Sequence, residues 1–159
     1  MISYCRMEAK LIHGQTTTVL QNHYKCDGII VIDEILARDS VMKKVFAAAA
    51  PASVKTYFFD EEKGIEQLKK AEDSERNYFV ILRNPLTTAS LVRKGYRFKL
   101  PVTCGQQFNR ENSVSIMQGV GLTEEEMVAM DFLVAQGVEV VMDPSCKLEN
   151  IPWQEIRNK

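Results

Sequence analysis

The chain has 159 residues, of which 45% are apolar and 26% charged, the size and balance of one domain able to bury a substantial core. Its 20 basic residues against 21 acidic ones exclude a general electrostatic pull toward nucleic acid or an anionic membrane, so any anion site must be local. Cys5, Cys26, Cys104 and Cys146 form no CxxC pair, which argues against a zinc cluster or a thioredoxin-like centre.

In chain order, Ile2–Met7 reads as a first strand, followed by a loop through His13 and a helix over residues 15–22. Residues 28–33 form a continuous apolar strand, and 34–50 a long helix ended by Pro51. Residues 54–59 make a third strand, after which Asp60 opens a helix whose Ile65 and Leu68 face inward. Tyr78–Leu82 is a buried-type strand, and Asn84-Pro85 opens a short helix ending near Gly95. Residues 98–102 are expected as a fifth strand, 103–113 as an irregular polar segment and 114–117 as a short edge strand. Thr123 and Glu126 have the spacing of a capping box that opens a helix to Gln136, and 138–142 is the expected last strand. In the polar tail from residue 143 to 159, Trp153 is expected to anchor a short docked helix by packing. Apolar strands alternating with amphipathic helices predict an α/β fold, an open and predominantly parallel sheet flanked by helices on both faces, in a single domain over 1–159. The start does not resemble a signal peptide and no apolar run reaches membrane-spanning length, so a cytoplasmic location is the default.

The segment from Arg6 to Gln15 places one of two histidines directly after the first strand and before a helix. Such sheets bind ligands at the carboxyl ends of their strands, where free backbone N–H groups at a helix start can hold an anion. Position alone also fits an ordinary loop histidine. The neighbours favour chemistry: Glu8 and Lys10 bring opposite charges near the ring, Gly14 removes bulk beside it, and Gln15 adds a donor and an acceptor. A nucleophilic histidine needs one nitrogen free and the other held, and nearby cations favour an incoming phosphate. His23 reads as a turn or surface residue, and Asp33 as a rim group or helix cap. No spaced His/Asp/Glu set supports a metal, and neither a Walker lysine motif nor a Rossmann glycine fingerprint implies a nucleotide, so no cofactor is expected.

The chain also resembles the mannose/fructose/sorbose-type IIB subunit of the bacterial phosphoenolpyruvate-dependent phosphotransferase system. The resemblance runs through Arg6 to Gln15, Ile29-Ile30-Val31-Ile32-Asp33-Glu34 with Ala37 and Asp39, and Ala49-Ala50-Pro51-Ala52-Ser53-Val54-Lys55. It continues in Arg83-Asn84-Pro85, Gly121-Leu122-Thr123-Glu124-Glu125 and Gly137-Val138-Glu139-Val140, with Leu11-Ile12-His13-Gly14-Gln15 as the most specific piece. It implies a phosphotransferase that accepts phosphate from a IIA domain on His13, through Nδ1, and passes it to sugar held by the IIC and IID membrane subunits. Lys10 takes the place of a family arginine beside the phosphate, and Glu8 that of an aspartate that helps orient the imidazole. Both changes keep the charge and alter the geometry.

In the loop Pro101-Val102-Thr103-Cys104-Gly105-Gln106, Val102 replaces a family asparagine and Cys104 the first of two glycines. The resemblance therefore places Cys104 and Gly105 with Gly14 and Gln15 around the phosphate. A partner surface is expected around His13 and residues 103–110, with Arg110 a candidate rim contact. The implied location is cytoplasmic, in transient association with the inner face of the membrane through the transporter subunits; a homo-oligomer is left open. The altered loop motivates the alternative, a non-catalytic regulatory or interaction module with the same fold.

Overall fold

The computed structural model describes all residues 1–159. Its strands are β1 (Ile2–Met7), β2 (Gly28–Ile32), β3 (Lys55–Phe59), β4 (Tyr78–Leu82), β5 (Val102–Cys104), β6 (Ser113–Met117), β7 (Val120–Thr123), β8 (Val140–Met142) and β9 (Ile151–Pro152). The helices are α1 (Gly14–Gln21), α2 (Ser40–Ala49), α3 (Glu61–Glu72), α4 (Pro85–Arg93), α5 (Glu124–Ala135) and α6 (Trp153–Arg157). None is long and apolar enough to cross a membrane.

Strand β2 is buried along its whole length and β4 along all but its first residue, as befits parallel strands covered on both faces. They belong to a seven-stranded sheet of order β3-β2-β4-β1-β5-β8-β9, parallel except for the β8–β9 pair. Successive side chains point to opposite faces, and the core divides accordingly. Met7, Ile30, Ile32, Val80, Leu82 and Met142 pack with Leu68 of α3, Leu91 of α4, Met130 of α5 and Trp153 of α6. Tyr4, Ile29, Val31, Phe79 and Ile81 pack with Leu20 of α1 and Leu36 on the other side. The expected mostly parallel α/β sheet is the one observed.

Four boundaries differ from the sequence reading. The helix expected over 34–50 is instead a 3₁₀ turn (Leu36–Arg38) followed by α2, because two aspartates each start a turn. The Asp33 carboxylate accepts from Leu36 N–H at 3.0 Å, and Asp39 stays extended and accepts from Met42 N–H at 3.0 Å. The fifth strand is displaced from 98–102 to Val102–Cys104. Gly95 turns the chain at φ +99°, after which Tyr96 donates its hydroxyl to Glu72 at 2.7 Å and stacks edge-on with Phe98, so this stretch packs as side chains instead of entering the ladder. Segment 114–117 is not an edge of the main sheet; it lies in β6, which pairs antiparallel with β7 around Gly119 at φ +87°. Finally β8 is followed by β9, so it is not the last strand.

Candidate functional site

β1 lies between β4 and β5. The chain leaves β1 toward β2 on one side and leaves β5 toward β8 on the other, so the loops after β1 and β5 flank the crevice of a doubly wound sheet. Beyond β1 the backbone is fastened by Glu8 N–H to Leu82 C=O at 2.7 Å, Ala9 N–H to Gln106 C=O at 3.0 Å and Leu11 N–H to Glu8 C=O at 3.0 Å. Leu11 sits at φ +55°, a left-handed conformation that a leucine keeps only where its surroundings hold it. Its side chain and that of Ile12 are buried in the core beside α1. These two apolar pegs leave His13, the next residue, half-buried at the crevice.

His13 is the N-cap of α1, with extended backbone and no side-chain cap bond. The first helical hydrogen bond runs from Thr17 N–H to His13 C=O at 3.0 Å, which leaves the amides of Gly14, Gln15 and Thr16 without an acceptor in the protein. The positive end of the α1 dipole therefore lies at the imidazole. Gly14 permits this approach, since a β-carbon there would stand 3.0 Å from the Ala49 carbonyl oxygen. The Thr16 hydroxyl lies 3.5 Å from His13 Nδ1. Lys10 is exposed, its Nζ 5.7 Å from the centroid of the Phe108 ring in the loop after β5. Gln15 is exposed on the first turn of α1.

Glu8 does not hold the imidazole, contrary to expectation. Its carboxylate is buried and accepts from Arg6 Nε at 2.8 Å and from Gln106 N–H at 3.4 Å. Arg6 is itself 1% exposed and donates from Nη1 to the Tyr4 hydroxyl at 2.9 Å and from Nη2 to Pro144 C=O at 3.5 Å. This ion pair braces the floor of the site. Cys104 and Gly105 also depart from the expected phosphate loop. Cys104 is fully buried in the core, and its thiol is pushed up to about 12, chiefly by that burial. The Gly105 N–H already donates to Met7 C=O at 2.8 Å. Gly105 is required instead by space, since a β-carbon would lie 2.3 Å from Glu8 Oε2 and 2.6 Å from Arg6 Nε. Arg110 pairs with Glu126, the residue that closes the Thr123 capping box.

Residues that the sequence reading did not assign to the site complete its frame. Arg83, after β4, donates from Nε and Nη2 to the two oxygens of Asp33 at 3.0 and 3.2 Å, and from Nη1 to Ala9 C=O at 3.5 Å. Buried Gln107 donates from Nε2 to Arg83 C=O at 3.0 Å and accepts from Gly121 N–H at 2.8 Å, tying the β5 loop to the β6–β7 hairpin. Arg6 carried a readable signal: an arginine near the end of an apolar strand, two residues before a glutamate, is buried only when ion-paired. His23 lies exposed beyond α1.

An imidazole at the N-cap of a helix whose first amides are free, at the crevice of a doubly wound parallel sheet, is an arrangement able to hold a phosphoryl group. The family model for the sorbose subfamily IIB component of the phosphotransferase system matches residues 2–158. The sorbose-specific EIIB component of Lacticaseibacillus casei is 28% identical over 150 residues, 91% of each chain. The N-acetylgalactosamine-specific IIB component 1 of Escherichia coli is 27% identical over 92% of this chain and 94% of that one. The mannose-specific EIIAB component of Escherichia coli is 26% identical over 95% of this chain, which spans only 48% of that protein's length. In fold, the sorbose permease IIB domain of Klebsiella pneumoniae superposes with a TM-score of 0.89 at 22% identity, covering 99% of this chain and 96% of that one. Thermoanaerobacter tengcongensis manxB gives 0.89 at 25% identity, covering 100% and 96%. The chain belongs to the sorbose subfamily of phosphotransferase-system IIB components. It is a phosphotransferase of the class that receives phosphate from a IIA component and passes it to sugar, working with membrane IIC and IID components.

Proposed function

We propose that His13 is the residue that carries the phosphoryl group, through Nδ1, in a single-domain carrier that meets a IIA phosphodonor and then IIC and IID subunits at the inner face of the membrane. The observation that carries this reading is the position of His13 as the N-cap of α1, with the amides of Gly14, Gln15 and Thr16 unpartnered in front of it. A neutral imidazole protonated at Nε2 attacks the phosphorus with its Nδ1 lone pair. The donor N–P bond breaks with its electron pair returning to the donor ring, and the Nδ1–P bond forms, so the phosphoimidazolium state moves from donor to acceptor without release of phosphate. Free amides and the Lys10 ammonium stabilise the oxygens in flight. No nucleotide takes part.

The Arg6–Glu8 pair and the Arg83–Asp33 pair hold the loops that frame His13 and stay out of the chemistry. Arg110 is proposed as a contact on the partner-facing rim, while its guanidinium also braces α5 through Glu126. The sugar is proposed to be a mannose-type or N-acetylated amino sugar, with selectivity residing in the membrane subunits that bind it. Incubation with phosphoenolpyruvate, enzyme I, the small histidine carrier and a matching IIA is expected to yield an acid-labile phosphohistidine on the native chain. His13→Ala is expected to fold and carry none, and Lys10→Ala to carry the label but accept it more slowly. Absence of label under conditions that phosphorylate IIA overturns the reading in favour of a non-catalytic module. Comparing mannose, N-acetylglucosamine and N-acetylgalactosamine in the reconstituted transporter tests the sugar.

A further inference from the structure

Three threonines, Thr16, Thr17 and Thr18, follow one another on the first turns of α1, and their side chains have different environments. Thr17 is buried, and Thr18 donates its hydroxyl to Gly14 C=O at 2.8 Å. Thr16 points back to the N-cap, with its hydroxyl 3.5 Å from His13 Nδ1. The two residues are three apart, the spacing that shares a helix face. A separation of 3.5 Å is well beyond the roughly 2.8 Å of a strong hydroxyl bond, so the proton is held near the ring nitrogen only weakly. The Thr16 amide is one of the three at this helix start without an acceptor. Its N–H is therefore free and its O–H only weakly engaged beside the same imidazole.

We infer that the Thr16 hydroxyl is a hydrogen-bond donor to the phosphoryl group on His13, a catalytic contact additional to the helix amides and Lys10; the inference rests on the reading of His13 Nδ1 as acceptor. Before transfer the hydroxyl donates weakly to the Nδ1 lone pair, which favours the tautomer protonated at Nε2 and leaves the nucleophilic nitrogen unprotonated. Formation of the Nδ1–P bond consumes that lone pair. The hydroxyl proton then has no ring acceptor and turns to a phosphoryl oxygen, where the acceptor is charged and the bond stronger. Cys146, held at φ +55° in the loop after β8, stands against the same hydroxyl. Burial raises its thiol above the ordinary value and the Thr16 hydroxyl works weakly against that, so Cys146 is the other group this hydroxyl can reach besides His13.

Thr16→Val removes the hydroxyl at nearly constant volume, and Thr16→Ser restores it. Three readouts are taken on the folded chains: the rate of label transfer from phosphorylated IIA, the ³¹P shift of the phosphohistidine, and the ¹⁵N tautomer signals of the unphosphorylated His13 ring. The valine variant is expected to accept phosphate about tenfold more slowly, with a displaced ³¹P signal and a smaller share of the Nε2–H tautomer. The serine variant should recover the rate to within about twofold and restore both spectra. Equal rates and ³¹P shifts for the valine variant and the native chain overturn the inference. So does equal slowing by valine and serine, which would mark a packing role. Failure of the native chain to take label at all is a different result and overturns the reading of His13 itself.

Discussion

The floor of the site depends on a missing side chain at residue 105. Gly105 passes so close to the Arg6–Glu8 pair that any β-carbon would displace one of two buried charged groups. A buried pair tolerates separation badly, because each partner is then left uncompensated in low dielectric. Gly105→Ala is therefore expected to lose about 2–4 kcal/mol in urea denaturation, an unusually large cost for adding one methyl group. A loss below about 0.5 kcal/mol would show that the loop yields freely. Burial likewise separates the four cysteines into two classes. Burial pushes both Cys5 and Cys104 up to about 12 and encloses them, whereas Cys26 and Cys146 are only half-buried. Alkylation at neutral pH followed by peptide mass analysis should modify Cys26 and Cys146 first, and Cys5 and Cys104 only after unfolding. The sequence marked His13, Lys10, Gly14 and Gln15 by their proximity along the chain. Cys104 is an apolar filler of the core, and its direction follows from the limits of β5, which residue order alone does not give.

Elements were legible where local chemistry alone decides them. The Thr123–Glu126 box forms with both bonds in place, and Asn84 and Asp60 cap α4 and α3 as their spacing predicts. Where two local signals compete, the longer-range contact decided. Asp33 lies just past β2 and is claimed by Arg83, just past β4, as well as by Leu36 N–H, so the chain pauses in a 3₁₀ turn before α2. Phe98, the expected start of the fifth strand, packs instead against Tyr96, whose hydroxyl is held by Glu72 on α3. That carboxylate also accepts from Lys99 Nζ at 2.8 Å. Its own burial works to raise the Glu72 pKa, but the bonds from Lys99 and Tyr96 outweigh it and hold the group below its ordinary 4.5. A carboxylate with a depressed folded-state pKa adds stability that is full above the unfolded value and lost as pH falls through the folded one. Glu72→Gln should accordingly be less stable than the native chain at pH 7, with the difference shrinking steadily below about pH 4.5. Denaturation midpoints at several pH values check this; a difference independent of pH would mean that the carboxylate's charge contributes nothing.

At the scale of the molecule, alternation of strand and helix announced a parallel sheet covered on both faces, but not the order of its strands. Periodicity states which side chains share a face and is silent on which strand lies beside which. The position of β1 between β4 and β5, and with it the meeting of the His13 loop, the Gly105 loop and Arg83, comes from crossings between segments far apart in sequence. The far edge is closed in the same non-local way. β9 pairs antiparallel with β8, setting Ile151 opposite Met142, and α6 then turns Trp153 into the core at 1% exposure. Its indole Nε1 donates to Asp131 Oδ1 on α5 at 2.8 Å, and Arg157 Nε reaches the other oxygen at 3.2 Å. The sequence identified the anchor but not the strand that delivers it. Trp153→Ala is expected to cost about 3–5 kcal/mol, because it removes the largest buried side chain and opens a cavity between α5 and the sheet. Trp153→Phe should keep most of the packing and lose the indole bond, costing about 1 kcal/mol beyond the smaller ring, since half-exposed Asp131 can turn to water. The unfolding must be followed by far-ultraviolet circular dichroism, as the substitution removes the only tryptophan. A loss under about 1 kcal/mol for the alanine variant would show that β9 and α6 lie loosely on the domain and do not close its edge.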